Sequence, residues 1–205
     1  MQVLVTYESK HGGTAEIAQV IGQELRESGH EVAVVPMGQV AEILPFDAIV
    51  LGSAVYYGRW RGGARRFLKR FQGTLPTRPL WVFESGPLDD FADENRAKPV
   101  HATAEQTILL HARDHVVFGG RLAQEDAGPM IRRMMASGKA GQFGDHRNMA
   151  RVRAWAHTID SSLKSQGGEI RLPYVVDDSE TSAPHSTAVA MSVKLQRTVQ
   201  RFRRA

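Results

Sequence analysis

The stretch Tyr7-Glu8-Ser9-Lys10-His11-Gly12-Gly13-Thr14-Ala15-Glu16-Ile17-Ala18 follows directly on the apolar run Val3-Leu4-Val5 and leads into a pattern of a different period. Val3–Thr6 is short, apolar and β-branched, which predicts a buried strand. From Gly13 onward, Ile17, Ile21 and Leu25 recur at helical spacing with Ala18 beside them. Glu16, Gln19, Gln23, Glu24 and Arg26 fall elsewhere, so an amphipathic helix is predicted, stopped at Gly29. Between the two, Ser9 to Thr14 are nearly all small, polar or permissive. A turn needs one or two such residues; a run of them suggests that something is held there. Backbone N–H groups at a helix N-terminus carry partial positive charge, and the hydroxyls of Ser9 and Thr14 add donors without bulk, which suits a phosphate. The plainer alternative is a glycine-rich turn with Thr14 as N-cap. Neither GxxxxGK[ST] nor GxGxxG is present.

The alternation then repeats. Glu31–Val35 and Phe46–Gly52 read as strands, the second apolar on both faces as an interior parallel strand requires. Ala64, Phe67, Leu68 and Phe71 mark a second helix closed by Gly73 and Pro76, and Pro79–Phe83 a fourth strand. Asp114–Phe118 reads as a fifth strand, reached across a connection with a short helix near 102–110. Met130, Ile131, Met134 and Met135 mark another helix, and Val152, Trp155, Ala156, Ile159 and Leu163 the last, ending at Gly167-Gly168. This βαβ rhythm predicts an α/β fold: a doubly wound, five-stranded parallel sheet of order 2-1-3-4-5 flanked by helices. Ligands in such sheets sit beyond the carboxyl ends of the strands, at the switch point between the first and third.

Two more loops fall there. Ser53-Ala54-Val55-Tyr56-Tyr57-Gly58, followed by Arg59-Trp60, sets aromatic rings where solvent would favour polar groups, and rings there can stack on a planar ligand. Glu84-Ser85-Gly86-Pro87-Leu88 is a turn whose amides can approach a ligand edge closely. Each also reads as an ordinary loop when taken alone.

The chain has 205 residues, 42% apolar and 23% charged, with a formal net charge of +4 and no cysteine, which excludes disulfides, thiolate nucleophiles and cysteine-ligated metals. Its charge makes no case for nucleic acid, since much of the excess lies in the last residues. No basic and apolar leader precedes the first strand and no run approaches the roughly 20 residues of a membrane span, so a cytoplasmic protein is expected. His111 and His115 have a spacing that binds metal on one helix. A strand predicted from Asp114 separates them, and no metal site is expected.

With these features in place, YESKHGGTAEIA resembles the flavodoxin-type FMN-binding signature, with Tyr7, Ser9, Gly12, Thr14 and Ala18 in its places. Thr6 stands where that signature usually has a bulky apolar residue. The resemblance covers about residues 2–165. It implies an FMN phosphate held by Ser9, Lys10, His11, Gly12, Gly13 and Thr14. It also implies an isoalloxazine flanked by Ser53–Gly58 and by Ser85, Gly86 and Pro87, with Tyr57 as stacking partner. Within the family the chain is similar to the menaquinone-dependent protoporphyrinogen IX dehydrogenase group. The shared features are Tyr57-Gly58, the run from Phe118 to Leu122, the helix at Met130–Met135, and Asp145 before Trp155-Ala156. That implies an FMN-dependent oxidoreductase acting on a tetrapyrrole or quinone-like substrate, with no catalytic acid or base identified. The alternatives are an electron carrier or a non-catalytic binding module on the same fold, and a deazaflavin in place of FMN. Arg59, Arg61, Arg65, Arg66, Lys69 and Arg70 read either as a solvated helix face or as a receiver for an anionic substrate or acidic partner.

The organisation expected is a flavodoxin-like domain over 1–168, a polar linker over 169–188 and a basic amphipathic helix over 189–205. In that last helix Met191, Leu195, Val199 and Phe202 form the apolar stripe. Such a helix suits an anionic membrane surface, an acidic partner, or docking on its own domain or a sister copy in a homo-oligomer.

Overall fold

A computed structural model of the chain describes residues 1–86, 99, 110–137 and 142–166. Pro87, all but the last residue of the helix expected near 102–110, the linker and the C-terminal helix lie outside the described residues.

The elements run β1 (Gln2–Glu8), α1 (Gly13–Glu27), β2 (Glu31–Pro36), β3 (Ala48–Tyr56), β4 (Arg59–Trp60), α2 (Gly62–Phe71), β5 (Leu80–Ser85), β6 (Asp114–Phe118), β7 (Arg121–Leu122), α3 (Pro129–Ala136), β8 (Gly144–Asp145) and α4 (Met149–Gln166). The five parallel strands are ordered β2-β1-β3-β5-β6, which is the expected 2-1-3-4-5 with the two-residue β4 added antiparallel to β3. Register follows the apolar pattern: Val3 faces Val32 on one side and Ala48 on the other, and Ile49 and Val50 face Leu80 and Trp81.

Because side chains alternate across a strand, the sheet has two cores. Val3, Val5, Ala48, Val50, Trp81 and Phe83 pack under α1 and α4, where Ile17, Ile21, Leu25, Val152, Ile159 and Leu163 are all fully buried. Each such side chain contributes about 1.5–3 kcal/mol. Leu4, Ile49, Leu51, Leu80 and Val82 face the other way, onto Phe67, Leu68 and Phe71 of α2. Trp155 stands edge-on to Phe83 and Phe118, at 6.1 and 5.7 Å, and its indole donates to Asp114 at 2.7 Å.

Two strands run past their predicted ends. β3 continues from Gly52 to Tyr56, since Ser53 and Ala54 pair with Glu84 and Ser85, while Val55 and Tyr56 are met by the returning Trp60 and Arg59. β5 extends to Ser85. Its Glu84 is 1% exposed, with the indole of Trp60 donating to its carboxylate at 2.7 Å and His115 of β6 3.3 Å from the same oxygen. The second loop is therefore largely strand, and the third begins with two strand residues, Glu84 and Ser85.

Candidate functional site

At the carboxyl ends of β1, β3 and β5 the chain opens a cleft of about 230 Å³. Its floor is the β1–α1 connection. Gly12 is the N-cap of α1 with φ at +83°, a conformation that favours glycine, and no side chain caps the helix there. Thr14 is therefore not the N-cap. It lies inside the first turn and is 2% exposed. The first-turn N–H groups, left without a side-chain cap, face the end of the sheet where a ligand would lie. Ser9 Oγ and His11 Nε2 are buried without a hydrogen-bond partner in the protein, polar atoms of the kind a ligand's oxygens satisfy. The residues present thus fit a phosphate. His11 Nδ1 is 3.4 Å from Asp126 Oδ1.

The second wall is the end of β3. Tyr57 and Gly58 form a two-residue turn with φ at +50° and +67°, the primed geometry that matches strand twist. The turn places Tyr57 at the rim, 60% exposed. Tyr56 lines the cleft between two cations, Lys10 Nζ at 5.6 Å and the Arg61 guanidinium at 5.8 Å from its ring. Burial pushes the Tyr56 hydroxyl above its ordinary pKa, with Arg61 opposing and Asp126 adding to the rise. Trp60 turns inward and is core. Ala54 and Val55 line the cleft, while Ser53 is fully buried with its hydroxyl on the Ala54 carbonyl, and neither it nor Gly58 contributes to the lining.

Ser85 and Gly86 form the third side. A Cβ at Gly86 would stand 2.9 Å from that of Val55, so glycine is needed where the two strand ends meet. The Ser85 hydroxyl donates to the Gly119 carbonyl at 3.3 Å and the Gly86 amide to Phe118 at 3.3 Å.

A fourth wall was not assigned from the sequence. Gly120, Arg121 and Leu122 line the cleft together with Ile131, Met134 and Met135 of α3. β7 pairs antiparallel with β8, and Arg147, just beyond, clamps this ribbon to the first turn of α1. Its guanidinium donates to the Gly13 carbonyl at 3.1 Å and pairs with Glu16 at 2.8 Å and Asp145 at 2.6 Å. Arg121 pairs with Glu16 at 3.1 Å. Hydrogen bonding from Arg147 holds the Asp145 carboxyl below the ordinary carboxylate range, while Asp145 raises Arg147. The local signals were present: a cation after two glycines, and an i, i+3, i+4 apolar triad. Their place at the cleft depends on pairings distant in sequence.

The cations at the cleft are Lys10 and Arg121; none of the six on and before α2 lines it among the described residues. Arg61 is taken by Glu8 at 3.1 Å, Arg70 donates to the Val40 and Ala41 carbonyls, and Arg59, Arg65, Arg66 and Lys69 are exposed. His115 lies on β6 and His111 before it, so one helix does not carry both. Among the described residues no helix is long and apolar enough to cross a membrane.

Residues 4–147 match the family described as a flavodoxin domain, and the chain belongs to that family, whose cofactor is FMN. It is 27% identical over 111 residues to the protoporphyrinogen IX dehydrogenase [quinone] of Escherichia coli K12, covering 53% of this chain and 61% of that protein's length. Among solved structures, an oxidised flavodoxin 2 from Bacillus cereus matches with a TM-score of 0.54 and 23% identity, over 80% of this chain and 99% of its own. A rubredoxin:oxygen oxidoreductase from Desulfovibrio gigas matches with a TM-score of 0.58 and 16% identity, over 82% of this chain and 37% of its own. These structures share the fold.

Proposed function

We propose that this flavodoxin-family protein is an FMN-dependent oxidoreductase that oxidises a protoporphyrinogen-type tetrapyrrole with a quinone-like acceptor. The observation that carries it is the union, in one cleft, of an uncapped helix N-terminus beside the unpartnered Ser9 hydroxyl with an aromatic and methionine-lined mouth. The relative named for protoporphyrinogen and quinone supports the substrate pair.

In this reading, the amides of Ser9–Thr14 with the Ser9 hydroxyl hold the phosphate, and Lys10 and Arg121 balance its charge. Ala54–Tyr57 and Ser85–Gly86 border the ring, and Tyr57 closes over it. Bound FMN supplies one- and two-electron redox chemistry, and the surrounding chain sets access and potential. The tetrapyrrole gives up hydrogens as pairs of electrons and protons, and each pair reduces one quinone to its hydroquinone. A one-electron carrier is the second reading, favoured by the length-matched flavodoxin structure.

Titration with FMN, riboflavin and a deazaflavin, followed by protoporphyrinogen turnover with menadione read as porphyrin fluorescence, separates these readings. FMN is expected to bind about tenfold or more tighter than riboflavin through its phosphate. Tyr57→Gly relieves the positive φ, so it leaves thermal stability unchanged or raised while weakening FMN several-fold. An absorbance spectrum unmoved at tens of micromolar FMN refutes the cofactor assignment. Tight FMN with no porphyrin formed points to the carrier.

A further inference from the structure

α3 is amphipathic, yet no residue of it is buried. Met130, Arg132 and Arg133 are exposed, whereas Ile131, Met134 and Met135 are half-buried and face the cleft. An apolar stripe on a surface helix ordinarily serves the core, where burial stabilises it. Here the stripe lines a ligand cleft, together with Leu122, Tyr56 and Tyr57. The cleft therefore has two chemistries. Ser9–Thr14, with Lys10 and Arg121, suit an anion, and the α3 stripe brings no charge of its own. Methionine is flexible, polarisable and makes favourable sulfur–aromatic contacts, so it accepts flat rings of differing outline.

We propose that Ile131, Met134 and Met135 form the wall that holds the apolar redox partner, a quinone-type ring, and that they determine which acceptors turn over. The proposal rests on the flavin reading of the same cleft. The stripe would hold the partner by contact area and sulfur–ring attraction, without hydrogen bonds. It would therefore discriminate by apolar area: naphthoquinones would be retained, and small hydrophilic oxidants would not depend on it.

The test uses the full chain loaded with FMN and reduced anaerobically, then mixed with menadione or with ferricyanide. Met134→Gln with Met135→Gln keeps side-chain length and helix propensity, and since α3 buries nothing in the core the fold should hold, which a melting curve verifies. The expected result is a KM for menadione raised about tenfold, with ferricyanide oxidation and the FMN Kd both within about twofold of wild type. Met134→Leu with Met135→Leu should restore most of the menadione KM. An unchanged menadione KM overturns the proposal, as does a reduced wild-type protein that does not react with menadione. A parallel loss of FMN affinity overturns it too, because the stripe then belongs to the flavin. A wild-type chain that binds no FMN fails at the earlier reading, and takes this one with it.

Discussion

The floor and the far wall of the cleft are held in place by different means. The β1–α1 connection is anchored from below, with Val3, Val5, Ile17 and Ile21 fully buried on either side of it, and its backbone course is dictated by Gly12. Among the described residues, the wall formed by β7, α3 and β8 has Leu122 and Ala127 as its buried apolar side chains, and α3 has none. It is tied down chiefly by polar contacts, above all by Arg147. The floor therefore reads as a fixed receptor for a group that does not vary, and the wall as an attachment whose side chains can change without disturbing the core. That division suits a cofactor on one side and a partner on the other.

The sharpest way to break this contrast is at the floor. Thr14→Glu places a carboxylate where the first turn of α1 should receive phosphate, and like charges in a partly desolvated site repel strongly. FMN affinity should fall about a hundredfold or more, read by quenching of flavin fluorescence. Riboflavin should lose far less, since it carries no phosphate. Equal losses for the two ligands would mean that Thr14→Glu damaged the fold and not the phosphate contact, and the floor would lose its assigned role.

The wall should respond in stability before it responds in binding. In Arg147→Ala the Gly13 carbonyl loses its donor, and Glu16 and Asp145 lose a shared cation. Breaking a fully buried pair costs about 3–5 kcal/mol. Here the Arg147 side chain is 4% exposed but its two acids are nearly half exposed, so water takes over much of their solvation. A loss of about 1–2 kcal/mol in urea denaturation is expected. A change of only a few tenths would mean that strand pairing, and not the clamp, holds the ribbon.

The same contrast explains what could be read from the sequence. β1, α1 and the phosphate-type connection were legible because burial on both faces, helical spacing and the glycines are all local signals. β3 and β5 were cut short because Ser53, Tyr56, Glu84 and Ser85 look like loop residues. Glu84 is buried where the indole of Trp60, 24 residues away, donates to its carboxylate and His115 of β6 stands 3.3 Å from it, and sequence spacing carries no sign of that meeting. Arg121, Met134 and Met135 were visible as a cation and a helical stripe. Their membership of the cleft comes from β7 pairing with β8 and from Arg147 reaching Gly13, contacts that no local pattern encodes. Ser53 was placed with the ligand by its position in a motif, whereas the alternation of β3 turns it into the sheet interior.

Acid should release the clamp from the ribbon side, and this is the smallest effect expected. Arg147 depresses the Asp145 pKa chiefly through its hydrogen bond, with burial opposing. A carboxylate lowered in the folded state contributes stability that is fully present above its unfolded pKa, about 3.9, and lost as pH falls through the folded value. Asp145 is nearly half exposed, so its share should be a few tenths of a kcal/mol. Asp160 has the same sign and complicates the reading. Burial raises it, but hydrogen bonds from Lys164 and His30 outweigh that and leave it lowered, so wild-type acid sensitivity is a sum. Subtraction separates the two: urea stability of wild type minus Asp145→Asn should be positive near neutral pH and shrink as pH falls below about 3.9. Asp160→Asn should leave that difference unchanged, because Asp160 acts between α4 and the turn after α1. A difference that stays constant down to about pH 3 would show that Asp145 does not titrate through Arg147, and the ribbon's hold on α1 would then rest on Glu16 and Gly13 alone.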